Sequence, residues 1–77
     1  MSKAKRTEFN CIHALQDHAR SLIVDGYVVL VATASCGHWI GYSAFKVIGG
    51  VEDSHLLTFA EEVDVSGIDP KLIYEIN

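Results

Sequence analysis

The fold is decided by one apolar stretch of eight residues, Tyr27-Val28-Val29-Leu30-Val31-Ala32-Thr33-Ala34. Its β-branched and aliphatic side chains favour a β-strand. A strand with one face in water alternates apolar and polar residues, whereas this stretch is apolar on both faces. We therefore expect a central strand that a helix covers on one face, and that a second layer or another molecule covers on the other.

A helix is predicted on the N-terminal side of this strand. The apolar residues at helical spacing are Ile12, Leu15, Ala19, Leu22 and Ile23, and they form one stripe along a helix. The helix should begin near Thr7, whose hydroxyl can cap it, and end at Asp25 and Gly26, since glycine readily adopts the left-handed conformation. His18 lies beside the stripe and is expected to be partly buried.

Two further strands are predicted on the C-terminal side. The short loop at residues 35–38 leads into a second strand at residues 39–48, which indicates an antiparallel hairpin. Gly41, inside that strand, is typical of a β-bulge or a close backbone approach. After Gly49, Gly50 and a polar turn, a third strand is predicted over residues 55–65.

The C-terminal segment has a helix start signal, because Asp69 can cap a helix whose first residue is Pro70. A short helix is expected there, although residues 72–76 could also form an edge strand. The expected fold class is thus α+β: one N-terminal helix packed on a three-stranded antiparallel meander, followed by a short C-terminal helix or edge strand. Residues 1–6 are predicted to be a flexible basic tail, and residues 7–77 a single small domain.

Composition narrows the class of protein. With 49% hydrophobic and 21% charged residues, the chain is too apolar for a disordered protein. Its longest apolar run is far below the roughly 18 residues of a membrane span, and no apolar region follows the basic N-terminus as in a secretory signal. Two cysteines without such a signal favour free thiols in a reducing compartment. We expect a cytoplasmic protein with no membrane association.

A Cys-x-His pattern occurs twice, at Cys11 and His13 and at Cys36 and His38. Two cysteines and two histidines can bind zinc tetrahedrally. However, residues two apart on a helix point about 200° apart, so Cys11 and His13 cannot converge on one ion. We expect no metal and no cofactor.

The loop containing Cys36 and His38 is also a candidate for a nucleophilic thiol beside an imidazole. Sequence adjacency is weak support, because catalytic groups are assembled in space, and no phosphate-binding loop or nucleophile elbow is present. We therefore predict that the protein is not an enzyme. A small-molecule- or metal-binding domain centred on this loop, with His55 as a further member, is kept as the alternative.

Charge suggests the kind of partner. The chain has a net charge of −4, and its basic residues cluster only in the predicted tail, so direct nucleic-acid binding is not expected. Carboxylates between residues 52 and 69 could share one surface and attract a basic surface of another protein. The predicted partner-binding residues are Glu61, Glu62 and Asp64 for steering, and Trp39 and Tyr42 as aromatic anchors.

These observations lead to one functional hypothesis. We expect a non-enzymatic protein-binding module, homodimeric because one helix cannot cover both faces of a sheet. Its small size and acidity are similar to those of phage or mobile-element accessory proteins that act as inhibitors or adaptors. That analogy rests on size and charge and not on a motif.

Overall fold

The computed structural model describes residues 4–76. The elements in chain order are β1 (Lys5–Phe9), α1 (Ile12–Val24), β2 (Val28–Thr33), β3 (Trp39–Ile48), β4 (Val51–Phe59) and α2 (Pro70–Tyr74). The four strands form one mixed sheet in the order β1-β4-β3-β2, in which β1 is parallel to β4 and the other neighbours are antiparallel. The fold class is α+β, as predicted.

The prediction of a three-stranded antiparallel sheet was wrong, because a fourth strand precedes the helix. Lys5 and Arg6, assigned to the flexible tail, belong to β1, whose backbone pairs with β4 from Lys5 opposite His55 to Phe9 opposite Phe59. Cys11, and not a residue near Thr7, is the N-cap of α1. Residues 1–3 of the predicted tail lie outside the described residues.

The predicted apolar stripe of α1 is confirmed. Leu15, Ala19 and Leu22 are buried, and Ile12 and Ile23 pack against the same core at partial exposure. The helix ends as expected, since Asp25 is its C-cap and Gly26 follows with a φ of +96°. His18 is half-buried, and its ring centroid lies 5.5 Å from that of Phe9.

The predicted hairpin between β2 and β3 is confirmed, but β2 is an edge strand and not a central one. The next hairpin turns on Gly49 and Gly50 alone, at φ +58° and +81°, as a type I′ turn requires. This tight turn brings Ile48 opposite Val51, so β4 begins earlier than predicted. It also ends earlier: residues 61–65, predicted to continue the strand, lie in turns and irregular structure.

Gly41 has both features that its position predicted. The register between β2 and β3 shifts between Ala32 and Thr33, which is a bulge of the kind expected. Gly41 itself has a φ of +149°, and a Cβ there would come within 1.7 Å of the Leu57 carbonyl oxygen. The bulge brings Trp39 opposite Thr33 at the end of the hairpin.

The C-terminal segment contains a helix, which decides between the two predicted alternatives. The carboxylate of Asp69 accepts a hydrogen bond from the Lys71 backbone N–H at 3.0 Å and so caps α2. Beyond the helix, Ile76 is buried with 6% exposure. Arg20 of α1 donates to its carbonyl oxygen at 3.2 Å. The segment is therefore held against α1 on the same side of the sheet.

Candidate interaction surface

One face of the sheet carries apolar side chains that no other layer covers. Tyr42 and Ala44 of β3 are buried beneath α1, and because side chains alternate along a strand, Phe45 and Val47 point to the opposite side. We call that side the open face. Its positions on β2, β3 and β4 are Val28, Leu30, Ala32, Gly41, Ser43, Phe45, Val47, Glu52, Ser54, Leu56 and Thr58.

Exposure on the open face is high for a set of apolar residues. Val28, Leu30 and Val47 have 49%, 54% and 66% of their surface exposed. Both α1 and the C-terminal segment lie against the other face. There the Gln16 amide donates to the Leu72 carbonyl oxygen at 2.5 Å, and the Tyr42 hydroxyl donates to that of Ile73 at 2.5 Å.

The border of the open face along β1 is charged but neutral overall. The Arg6 guanidinium lies 3.5 Å from the Glu8 carboxylate. It also donates from Nε to the Thr58 hydroxyl at 3.2 Å, and Thr58 is only 3% exposed. No lysine occupies a strand position of this face within residues 4–76.

The carboxylates predicted to share one surface fall into separate groups. Glu61 and Glu62 are exposed in the turn after β4, and with Asp64 they form a group that we call the acidic turn. Neither glutamate makes an ion pair with another described residue. Asp53 lies near the start of β4, and the strand from Asp53 to its last residue, Phe59, is about 20 Å long at about 3.3 Å per residue.

Asp64 has a structural partner within the acidic turn. Its carboxylate accepts hydrogen bonds from the Ser66 hydroxyl at 2.6 Å and from the Ser66 backbone N–H at 2.9 Å. These bonds lower the pKa of Asp64 below its usual value, with the hydroxyl as the larger cause. The acidic turn is therefore locally ordered by Asp64, whereas the side chains of the two glutamates are exposed.

The two predicted aromatic anchors lie in the core. Trp39 is 8% exposed and Tyr42 is fully buried. The Trp39 ring lies edge-on to Tyr42 and to Phe59, with centroid distances of 5.4 and 5.3 Å, and its indole N–H donates to the Gly41 carbonyl oxygen at 2.6 Å. The structure thus brings these two side chains together beneath the helix layer. They expose little surface to a partner.

A polar cluster lies at the other end of the helix-covered face. The sequence did not indicate that its members would meet. The carboxylate of Asp53 accepts a hydrogen bond from the Tyr27 hydroxyl and lies 3.2 Å from the His55 ring nitrogen and 3.7 Å from the Lys5 ammonium. The ring of Tyr27 is edge-on to that of His55 at 5.2 Å. Lys46 lies 5.5 Å above the Tyr27 ring centroid.

The hydrogen bond between Tyr27 and Asp53 has opposite effects on the two partners. It is the largest cause of the raised pKa of Tyr27, because the protonated phenol is the donor. It is also the largest cause of the lowered pKa of Asp53, with His55 and Lys5 adding to the effect. One feature of the sequence could have indicated this cluster. The polar residues Asp53 and His55 lie in a segment that pairs with a largely apolar strand.

The alternative site at the Cys36 loop has no supporting geometry. Cys11 and Cys36 are both free and exposed, and they lie at the helix start and in the β2–β3 hairpin. His55 faces Ala44, about 20 Å along β3 from the hairpin at about 3.3 Å per residue. Residues 4–76 contain no group of three or more His, Cys, Asp or Glu side chains placed to hold a metal.

Comparisons with known proteins add no family. No protein-family model matches the chain, and neither the curated proteins nor the solved structures searched gave a match. Among the described residues, neither helix has the length and apolar character that crossing a membrane requires.

Proposed function

We propose that the protein is a non-enzymatic protein-binding module, a small acidic adaptor or inhibitor of the accessory type, acting in the cytoplasm on a partner protein with a basic surface. The observation that carries the assignment to a protein-binding class is the open face, whereas the acidic turn carries the choice of a basic partner. Apolar side chains cover three neighbouring strands there, and Val28, Leu30 and Val47 are about half exposed or more. Contiguous apolar surface of this kind on a small domain marks a site of association.

The acidic turn suggests the chemistry of the partner. The ion pairs of the described residues engage Lys5, Arg6 and Arg20 with carboxylates of the same chain. Glu61 and Glu62 have no such partner, so their field extends into solvent. Clustered charges of one sign accelerate encounter with an oppositely charged surface and orient it.

The polar cluster at Asp53 is better suited to structure than to catalysis. A nucleophilic phenol needs a lowered pKa or a base that removes its proton. The bond to Asp53 raises the pKa of Tyr27 and lowers the pKa of Asp53, so that this carboxylate is a weaker base than usual. The Asp53 carboxylate is shared among a phenol, an imidazole and an ammonium group. This arrangement ties β1, β4 and the start of β2 together, which supports the non-enzymatic reading.

The proposal is tested by affinity capture with charge-matched variants. The purified chain, the variant Glu61→Lys/Glu62→Lys and the control Asp17→Lys/Glu75→Lys are immobilised and exposed to nuclease-treated lysate of the source cells. Both variants change the net charge equally, but only the first changes the acidic turn. We expect the wild type and the control to retain a stoichiometric protein with a basic surface, and the first variant to lose it.

Salt provides the second arm of this experiment. Since the screening length falls from about 10 Å at 0.1 M to about 3 Å at 1 M salt, the captured protein should elute within that range. Retention of the same protein by the Glu61→Lys/Glu62→Lys variant at equal salt would overturn the assignment of the acidic turn. Failure of the wild type to retain any protein would overturn the proposed function.

A further inference from the structure

We propose that the open face is covered by the open face of a second copy of this chain, so that the two sheets form a sandwich. This inference rests on the proposed function and names what occupies the apolar surface. The dimer would leave the acidic turns of both copies free for the partner protein. Three observations carry it: the chemistry of the face, its self-complementary border and its area.

The chemistry of the face favours another apolar sheet over the other possible occupants. The open-face positions of β2 and β3 carry only apolar or hydroxyl side chains, with Phe45 and Leu30 as the largest, and β4 adds one carboxylate, Glu52, at one end of the face. The one cation at the border, Arg6, is already paired with Glu8. Anionic lipids and nucleic acids are bound by unpaired lysine and arginine groups, which this face does not present within residues 4–76.

The border determines which symmetric arrangement fits. A two-fold axis that crosses the strands places β1 over β1 and β2 over β2 of the second copy. Arg6 can then approach Glu8 of the second copy, and Leu30 meets apolar side chains. An axis along the strands would instead place the charged border over Leu30. A two-fold interface must be complementary to itself. Only the first arrangement places the charged border against the charged border and apolar residues against apolar residues.

The area of the sheet is close to what a specific dimer needs. The strands have 5, 6, 10 and 9 residues, and each residue occupies about 16 Å² of the sheet plane at the usual strand spacing and rise. The plane therefore measures about 480 Å² per copy, or about 960 Å² for the pair. Stable interfaces bury about 1,200–2,000 Å² in total. The pair lies below that range, among the weak and transient interfaces, and we therefore expect dimerisation to depend on concentration.

A second copy over the open face also explains why β2 is apolar on both of its faces. An edge strand that is apolar on both faces invites aggregation unless it is covered. Its inward residues Val29 and Val31 pack against the core, whereas Val28 and Leu30 point to the open face and remain about half exposed. Sheet-on-sheet packing at about 10 Å, with nearly aligned strands, would cover both.

Sedimentation velocity on the purified chain tests the dimer directly. The wild type is measured from about 5 to about 500 µM, a range suited to a weak interface, beside Leu30→Lys/Val47→Lys. The matched control is Val24→Lys, which replaces an apolar residue that is 86% exposed on α1, away from the face. We expect wild type and control to shift from monomer to dimer with concentration, and the face variant to remain monomeric with an unchanged far-ultraviolet circular dichroism spectrum.

A second measurement keeps the inference falsifiable if the face variant does not fold. Amide chemical shifts of the wild type are followed over the same concentration range, and shifts should concentrate on β2, β3 and β4 and spare α1. A wild type that stays monomeric at every concentration would overturn the dimer. A face variant that dimerises like the wild type, or shifts confined to α1, would overturn the open face as its interface. Since no partner protein is present, these outcomes are separate from failure of the capture experiment.

Discussion

Gly41 of β3 lies so close to Leu57 of β4 that a Cβ atom at position 41 would come within 1.7 Å of the Leu57 carbonyl oxygen. The residue also has a φ of +149°, which side-chain-bearing residues rarely adopt. The contact lies where the β2–β3 register shifts and just before the buried Tyr42. The junction of the three antiparallel strands therefore depends on a residue without a side chain.

Gly41→Ala should destabilise the fold strongly. The added methyl group has to displace backbone and adopt an unfavourable φ, and together these effects cost about 3 kcal/mol. That is a large fraction of the free energy of unfolding of a domain of this size. Urea denaturation followed by circular dichroism measures the change. Gly67→Ala is the control, because an added Cβ there meets nothing within 4 Å; equal stability of the two variants would contradict the prediction.

Tyr42→Phe should loosen the C-terminal segment. The hydroxyl donates to the Ile73 carbonyl oxygen at 2.5 Å and accepts from the Gln16 amide at 3.3 Å, and burial raises the pKa of this phenol. Its loss leaves a partly buried carbonyl without this donor, which costs about 1 kcal/mol. Urea denaturation and limited proteolysis should show lower stability and faster cleavage within residues 61–76.

The matched control for this prediction is Tyr74→Phe. Tyr74 is in the same segment but is 70% exposed, and it makes no hydrogen bond to another described side chain. Its stability and cleavage rate should equal those of the wild type. If Tyr42→Phe behaved like Tyr74→Phe, the hydroxyl of Tyr42 would not hold the segment.

Asp69→Ala should destabilise the C-terminal segment at the start of α2. The Asp69 carboxylate is the side-chain cap of α2, and loss of such a cap costs about 1 kcal/mol. Because a five-residue helix has little stability of its own, we expect α2 to unwind and amide exchange to accelerate at Leu72 and Ile73. Asp69→Asn retains a capping oxygen and should preserve slow exchange; fast exchange in both variants would show that the cap is not what matters.

Local signals were sufficient for most of the elements. The helical stripe of α1, the β2–β3 hairpin and the Asp69–Pro70 start of α2 each depend on residues close in sequence. The strand β1 could not be recognised in this way: its sequence Lys5-Arg6-Thr7-Glu8-Phe9 has no apolar alternation, and only Phe9 is half-buried. It becomes a strand through backbone pairing with β4, some 50 residues away.

The candidate surface was predictable in kind but not in place. The apolar pattern of β2 indicated an uncovered second face, and the structure has that face exposed. The same pattern could not show that β2 is an edge strand, because strand order depends on how β1 and β4 pair. Asp53 and His55 could not be connected with Tyr27 for a similar reason, because Tyr27 and Asp53 are 26 positions apart along the chain.

Asp53 should make the stability of the fold dependent on pH in the acid range. Its pKa is lowered in the folded protein, first by the hydrogen bond from Tyr27 and further by His55 and Lys5. A carboxyl group with a lowered folded pKa contributes stability that is fully present above its unfolded pKa of about 3.9. That contribution is lost as the pH falls through the folded pKa. The free energy of unfolding should therefore decrease below about pH 4.

Asp53→Asn separates this contribution from the rest of the protein. An amide cannot titrate, so the variant should be less stable than the wild type at pH 7, and the difference should shrink as the pH falls below about 4. Urea denaturation at a series of pH values between about 2 and 7 measures both curves. Asp64→Asn should show a similar convergence because Ser66 lowers the pKa of Asp64, whereas Asp17→Asn, an exposed helix residue paired with Arg20, should change little at pH 7. A constant difference between wild type and Asp53→Asn across the range would show that the Tyr27–Asp53 bond does not favour the ionised carboxylate.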